Sequence, residues 1–176
     1  MPEKKKAKRN KTGLLPFLPF AFALLGAVAS VLGLLLPFAV RLTKNPYTGK
    51  IKREAMTLSE WGRSHDALRE MGSGGYSFFG AARGLAWTVA VAAGTVLLLL
   101  VVSRLTRPSR DLSWTVVVLG VLLALLSVVC FVSSVLFAVS LGSDATRVLL
   151  LFGAYLPLAG GLVSGVSAFF AVRRQL

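Results

Sequence analysis

The sequence predicts an all-α integral membrane protein, a bundle of four transmembrane helices with a short amphipathic helix in the long first loop. Two observations predict this fold class. The 176 residues are 55% hydrophobic and only 15% charged, whereas about a quarter of the residues in ordinary soluble domains are charged. The hydrophobic residues also form four blocks, each long enough to cross a hydrocarbon core about 30 Å thick.

The four predicted spans cover residues 15–40, 81–103, 114–141 and 146–172, within one membrane domain of residues 14–176. Pro37 should bend or end the first helix, because proline lacks a backbone N–H. Small residues recur on three spans and would let helices approach closely. They are Gly26, Ala86, Ala90, Gly94, Gly160, Gly161, Ser164 and Gly165. We expect packing within the bundle, with docking onto another protein as the alternative.

The N-terminal tail, residues 1–13, carries six basic residues and is predicted to be disordered. A basic cluster beside a span marks the cytoplasmic side and binds anionic lipids. Four spans put both termini on that side of a plasma membrane, and the absence of isoleucine from the predicted spans suggests a bacterial inner membrane. Anionic lipid, rather than nucleic acid, therefore explains the net charge of +13.

The loop of residues 41–80 is the long polar interval of the chain. Its first part, residues 41–53, has two basic arms around turn residues, which allows either a hairpin or an irregular loop. Thr57 and Glu60 then form a capping-box pattern, which starts a predicted helix of about 14 residues that ends before Gly72.

The predicted loop helix has an apolar side and is too short to be stable alone in water. It must rest on the membrane interface, on the protein's own spans or on a partner, and we favour contact with protein. An aromatic belt follows at the mouth of the second span. The candidate partner-binding residues are therefore Leu58, Trp61, Leu68, Met71, Tyr76, Phe78 and Phe79.

Three arginines are predicted near the same membrane surface, namely Arg41, Arg83 and Arg147. Together they could hold an anionic lipid head group. The alternative is that each guanidinium only extends to the polar interface, as interfacial arginines commonly do.

The sequence predicts no enzyme, and no catalytic, metal or cofactor site. The central parts of the four predicted spans have no carboxylate, lysine or histidine, and such groups usually mark functional sites within a membrane. Ser64, His65 and Asp66 have the side chains of a catalytic triad, but consecutive helical residues point about 100° apart. We expect His65 to be an ordinary exposed histidine.

The long first loop and the cytoplasmic termini resemble claudin-like tetraspan proteins in outline. The chain lacks the paired cysteines and the Trp-Gly-Leu-Trp signature of claudins, so no family is assigned. The function predicted from the sequence is a non-catalytic accessory or assembly subunit of a larger plasma-membrane protein complex. It would dock on other integral membrane subunits through the first extracytoplasmic loop and the small-residue helix faces. A lipid-binding or lipid-transport-associated protein is the first alternative, and a small channel or transporter is the second.

Overall fold

A computed structural model describes residues 17–106, 110–143 and 145–173. Within these ranges, four helices are long and apolar enough to cross a membrane. They are α1 (Leu18–Leu35), α3 (Phe79–Leu105), α4 (Arg110–Ser140) and α5 (Phe152–Arg173). The remaining elements are helix α2 (Leu58–Glu70) and strands β1 (Pro37–Lys44), β2 (Ile51–Thr57) and β3 (Thr146–Leu150). The predicted disordered tail, residues 1–13, lies outside the described residues.

A three-stranded sheet corrects the all-α prediction. Its strand order is β2-β1-β3, and both pairings are antiparallel. The first apolar helix ends at Leu35 rather than near residue 40, because Leu36 is extended, with φ −80° and ψ 160°. Proline disfavours the helical conformation of the residue before it. Pro37 therefore ends α1 and starts β1.

The start of the fourth predicted span is also a strand, so its helix begins at Phe152 rather than at residue 146. Two backbone bonds flank the pairing of β3 with β1. The N–H of Lys44 donates to the carbonyl of Ala145, and the N–H of Leu151 donates to the carbonyl of Phe38, both at 2.9 Å. The backbone groups of a central strand need partners on both of its sides. Strand β3 supplies them along the side of β1 that faces away from β2.

Small residues bring the long helices into close contact. A Cβ atom added to Gly160 on α5 would lie 2.4 Å from the Gly26 carbonyl oxygen on α1, and one added to Gly26 would lie 2.3 Å from Ser164 Oγ. On the other side of α5, Gly161 faces Ser127, and Gly165 lies against the α4 backbone. Five of the predicted packing residues therefore lie between helices of this chain.

Helix α3 follows the predicted packing face only in part. Ala86 and Ala90 are buried, but a Cβ atom added to Gly94 would meet no atom within 4 Å. The buried face passes through Ala93 and Val96 instead. The reason is the helical period of about 3.6 residues, which carries a strict four-residue repeat away from a straight contact line.

Candidate functional site: the sheet and helix α2

The segment that connects α1 to α3 forms a cap, which we define as residues 37–78 together with β3. At its centre, Thr57 ends β2 and begins α2 with the predicted capping box. Thr57 Oγ1 accepts a 3.3 Å hydrogen bond from the Glu60 N–H, and Glu60 Oε2 accepts a 2.7 Å bond from the Thr57 N–H. This bond and a second one from the Thr57 hydroxyl hold the pKa of Glu60 below its usual range. The strand and the helix therefore meet at a well-defined junction.

Helix α2 packs on the long helices through a cluster of aromatic rings. Trp61 lies 5.2 Å from Phe137 on α4 between ring centroids, and Phe137 lies 5.1 Å from Phe79 on α3. Phe38 from β1 and Tyr76 complete the contacts, at 6.0 and 6.1 Å from Phe137. Aromatic pairs at such distances stabilise a fold beyond the burial of their area. The cluster therefore attaches the cap to α3 and α4.

This packing changes the interpretation of the seven candidate partner-binding residues. Leu58, Trp61 and Phe79 are buried within the chain itself. Met71 and Phe78 are 73% and 51% exposed, and the remaining two, Leu68 and Tyr76, are partly buried. The loop helix thus rests on the protein's own long helices, one of the three supports considered above. Leu58 and Trp61, the buried residues of its apolar side, are therefore not free to bind a partner.

His65 is buried and only 7% exposed, contrary to the expectation of an exposed histidine. Its Nδ1 atom accepts a 2.9 Å hydrogen bond from the Tyr76 N–H, and its ring lies 5.3 Å from that of Phe79. The sequence contained a signal for this position. Residues 58, 61, 65 and 68 follow the three-four-three spacing of one helix face, and His65 is the polar member of that stripe.

The three candidate head-group arginines do not converge. Arg83 Nη1 lies 3.0 Å from Asp66 Oδ2 and so links α3 to α2. In the sheet, Arg41 pairs with Val148 while Arg147 pairs with Leu42. Directly opposed residues of antiparallel strands share a face, and neighbouring residues alternate between faces. Arg41 and Arg147 therefore lie on opposite faces of the sheet.

Strands β1 and β2 form a hairpin of residues 37–57, which includes residues 41–53, where the sequence allowed either a hairpin or an irregular loop. Asn45 Oδ1 accepts hydrogen bonds from the N–H groups of Tyr47 and Thr48, at 2.9 and 3.1 Å. Gly49 has φ +66°, a conformation that glycine adopts easily. Tyr47 at the tip is 96% exposed. The hairpin thus projects an aromatic side chain from a turn that its own residues stabilise.

The hydrogen bonds at the ends of β1 show which backbone groups of the sheet are paired. The Asn45 N–H donates to the Lys50 carbonyl on the β2 side, whereas the Lys44 N–H donates to the Ala145 carbonyl on the β3 side. Hydrogen-bonded pairs alternate along antiparallel strands. Odd-numbered residues of β1 therefore bond to β2, and even-numbered residues bond to β3.

The same alternation identifies the open edge of β2. Lys52 and Glu54 pair with Thr43 and Arg41, the odd-numbered residues of β1. The alternate residues of β2 point their N–H and C=O groups away from β1. These residues are Ile51, Arg53 and Ala55. Because β2 is an outer strand of the sheet, their backbone groups lie at its open edge.

The hairpin is strongly basic. Residues 44–56 contain four basic side chains and one acid, and the four cations Lys44, Lys50, Lys52 and Arg53 are all exposed. The acid, Glu54, is hydrogen-bonded to Lys52, and this bond, together with the charge of Lys52 and the more distant Arg41, holds the pKa of Glu54 below its usual range. The projecting strands therefore present a net positive charge.

No protein-family model and no curated protein matches this chain. The functional interpretation therefore rests on the arrangement of the chain's own residues.

Proposed function

We propose that this protein is a non-catalytic accessory or assembly subunit of a larger complex in a plasma membrane, and that it binds its partner through the hairpin. The carrying observation is the contrast within the cap. The apolar side of α2 is packed against the chain's own helices, whereas the hairpin exposes four cations and an unpaired strand edge. Such an edge is a template for pairing with another chain.

The sequence supports a placement for this surface. The basic residues near the N-terminus and between the second and third long helices favour a cytoplasmic location for both termini. Since the cap connects α1 to α3 and α4 to α5, this topology puts the hairpin on the extracytoplasmic side. The partner is then another membrane subunit or a protein at the outer surface.

Site-specific crosslinking in native membranes tests the proposal. A photoreactive residue at Tyr47 should crosslink to one defined protein, and the same residue at Met71, which is 73% exposed, serves as a control beside the packed half of the cap. Extraction in mild detergent should give a native mass above that of the monomer. The double substitution Lys52→Glu and Arg53→Glu should reduce it to the monomer mass. A lone monomer in every mild detergent, with no protein crosslinked at position 47, contradicts the proposal.

A lipid-binding function is the second candidate, and one observation favours it. An open groove of about 430 Å³ runs between the N-terminal part of α1 and the C-terminal part of α5. Its lining includes Leu18, Phe22, Val166 and Phe170, and an apolar groove of this kind suits an acyl chain.

Native mass spectrometry tests the groove. Filling it with Val166→Trp should remove a co-purifying lipid, while Val121→Trp on the exposed side of α4 should leave that lipid bound. Equal lipid retention in both variants contradicts a lipid site in the groove.

A further inference from the structure

We infer that the open edge of β2 binds an extended acidic segment of a partner protein, which joins the sheet as a fourth strand beside β2. This inference rests on the proposed function and specifies the docking surface and the chemistry of the partner. Addition of a strand to an exposed sheet edge is a common mode of peptide recognition, in which main-chain hydrogen bonds supply affinity and side chains supply specificity.

The backbone of β2 provides the hydrogen-bonding groups. Ile51, Arg53 and Ala55 each turn one N–H donor and one C=O acceptor away from β1, as the strand register requires. In the part of the chain that the structure describes, no other backbone group bonds to them. An incoming strand can therefore pair along β2 without breaking a bond of the existing sheet.

The side chains of β2 determine what kind of strand fits. Ile51 and Arg53 lie on one face of the sheet, and Lys52 lies on the other. Ile51 is 59% exposed, so it can contact an apolar side chain on the incoming strand. Arg53 and Lys52 offer a cation on each face, and opposite charges on adjacent strands stabilise their pairing. The fitting partner is therefore extended, with acidic residues that face both cations.

Charge also distinguishes this partner from a second copy of the chain. Two β2 edges would bring two net positive hairpins together, and the one acid of the strand, Glu54, is already bonded to Lys52. Basic side chains on edge strands commonly prevent self-pairing. The same cations attract an acidic segment, so one set of residues disfavours the homodimer and favours the partner.

The test uses the full-length protein in discs of neutral phosphatidylcholine and a short fluorescent peptide with the repeat Val-Val-Glu-Glu, which as a strand places valine and glutamate on both faces. Binding is measured by fluorescence anisotropy. One control peptide has lysine in place of glutamate, and a second keeps the acids but carries an N-methyl group on every amide, which blocks strand pairing along both edges. The acidic peptide should bind. The affinity of both controls should be lower by on the order of tenfold or more, because each lost hydrogen bond or charge pair costs about 1 kcal/mol or more.

A substitution at the edge provides the matched test on the protein. Ala55→Pro removes an outward N–H without removing a bond to β1, and proline is tolerated on edge strands in this orientation. It should weaken binding of the acidic peptide on the order of tenfold, whereas Ala55→Val, which keeps the N–H, should bind like the parent. Unchanged tryptophan fluorescence and protease resistance would show that both variants are folded.

Three results would overturn the inference. Equal binding of the N-methylated acidic peptide would mean attraction by charge alone. If Arg53→Gln abolishes binding of the protein to anionic vesicles while Ala55→Pro leaves peptide binding unchanged, the hairpin binds a lipid surface instead. A native dimer that Ala55→Pro dissociates would mean self-pairing.

The proposed function can fail separately from this inference. If crosslinking at Tyr47 captures a partner whose association survives Ala55→Pro, the strand-edge inference is wrong and the subunit function stands. If the peptide binds as expected but the protein is a lone monomer in native membranes, the edge site stands and the subunit function is wrong.

Discussion

The two halves of the segment between α1 and α3 differ in the contacts that their residues make. In residues 58–79, the apolar side chains of α2 pack on the chain's own helices through Trp61. In residues 41–57, the strands pair with each other and with β3, and β2 keeps one unpaired edge. The comparison teaches that the apolar side of one segment can be largely buried inside the protein, while the strand beside it keeps an open edge.

The largest expected difference in stability is between substitutions of the aromatic residues of the two halves, Trp61 and Tyr47. Trp61→Ala should lower the free energy of unfolding by about 3–5 kcal/mol, because it leaves a large cavity among buried rings. Tyr47→Ala should change it by no more than about 0.5 kcal/mol, since that side chain is almost fully exposed. Denaturant-induced unfolding in detergent, monitored by protease cleavage of the cap, measures both changes in the free energy of unfolding. Similar effects of the two substitutions would contradict the division into a packed half and an open half.

A glycine in each half gives the next comparison. Gly75 and Gly49 both have positive φ, +74° and +66°. A Cβ atom at Gly75 would also lie 2.6 Å from His65 Cε1, whereas one at Gly49 would meet no atom within 4 Å. Gly49→Ala should therefore cost about 1–2 kcal/mol from backbone strain, and Gly75→Ala about 1–3 kcal/mol more from overpacking. Thermal unfolding compares them, and equal losses would show that His65 is not packed against this loop.

The junction between the halves should give a smaller effect. Thr57→Ala removes the cap of α2 and should cost about 1 kcal/mol. Thr48→Ala in the hairpin removes only a long 3.4 Å hydrogen bond from the Lys50 N–H, so a few tenths of a kcal/mol at most is expected. Hydrogen exchange of the α2 amides should report the first substitution and not the second. Unaltered exchange in Thr57→Ala would argue against a role for the capping box in holding α2.

Acid should loosen the start of α2 through the same junction. Hydrogen bonds from Thr57 lower the pKa of Glu60 in the folded protein. A lowered pKa means that the charged group stabilises the fold above the ordinary glutamate value of about 4.3, and that this contribution disappears as the pH falls through the lowered value. The hydrogen-exchange protection factors of the first turn of α2, which correct for the intrinsic pH dependence of exchange, should therefore fall more on acidification in the parent than in Glu60→Gln. The same acid response in both proteins would assign it to another group.

Local signals predicted part of this architecture well. Pro37 was expected to end or bend the first helix, and the residues of the capping box begin α2 where the sequence placed it. Strand β3 was missed because its residues are also apolar enough to extend a helix, and only pairing with β1, over 100 positions earlier in the chain, selects the strand. The spacing of residues 58, 61, 65 and 68 places His65 on the apolar side of α2, but its burial also depends on a polar partner, the Tyr76 N–H, which only the folded chain supplies.

The sequence by itself determined four apolar helices, a capped helix in the first loop and the basic character of residues 41–53. It could do so because composition, period and caps act over a few neighbouring residues. Only the tertiary structure decided which side chains of the cap are buried, which arginines meet, and which strand edge is open. Those features depend on contacts between distant residues, such as Trp61 with Phe137 and Arg83 with Asp66. Burial of Trp61 and the position of β2 at the sheet edge follow from such contacts, because a contact between helices and a strand order exist only in the folded chain.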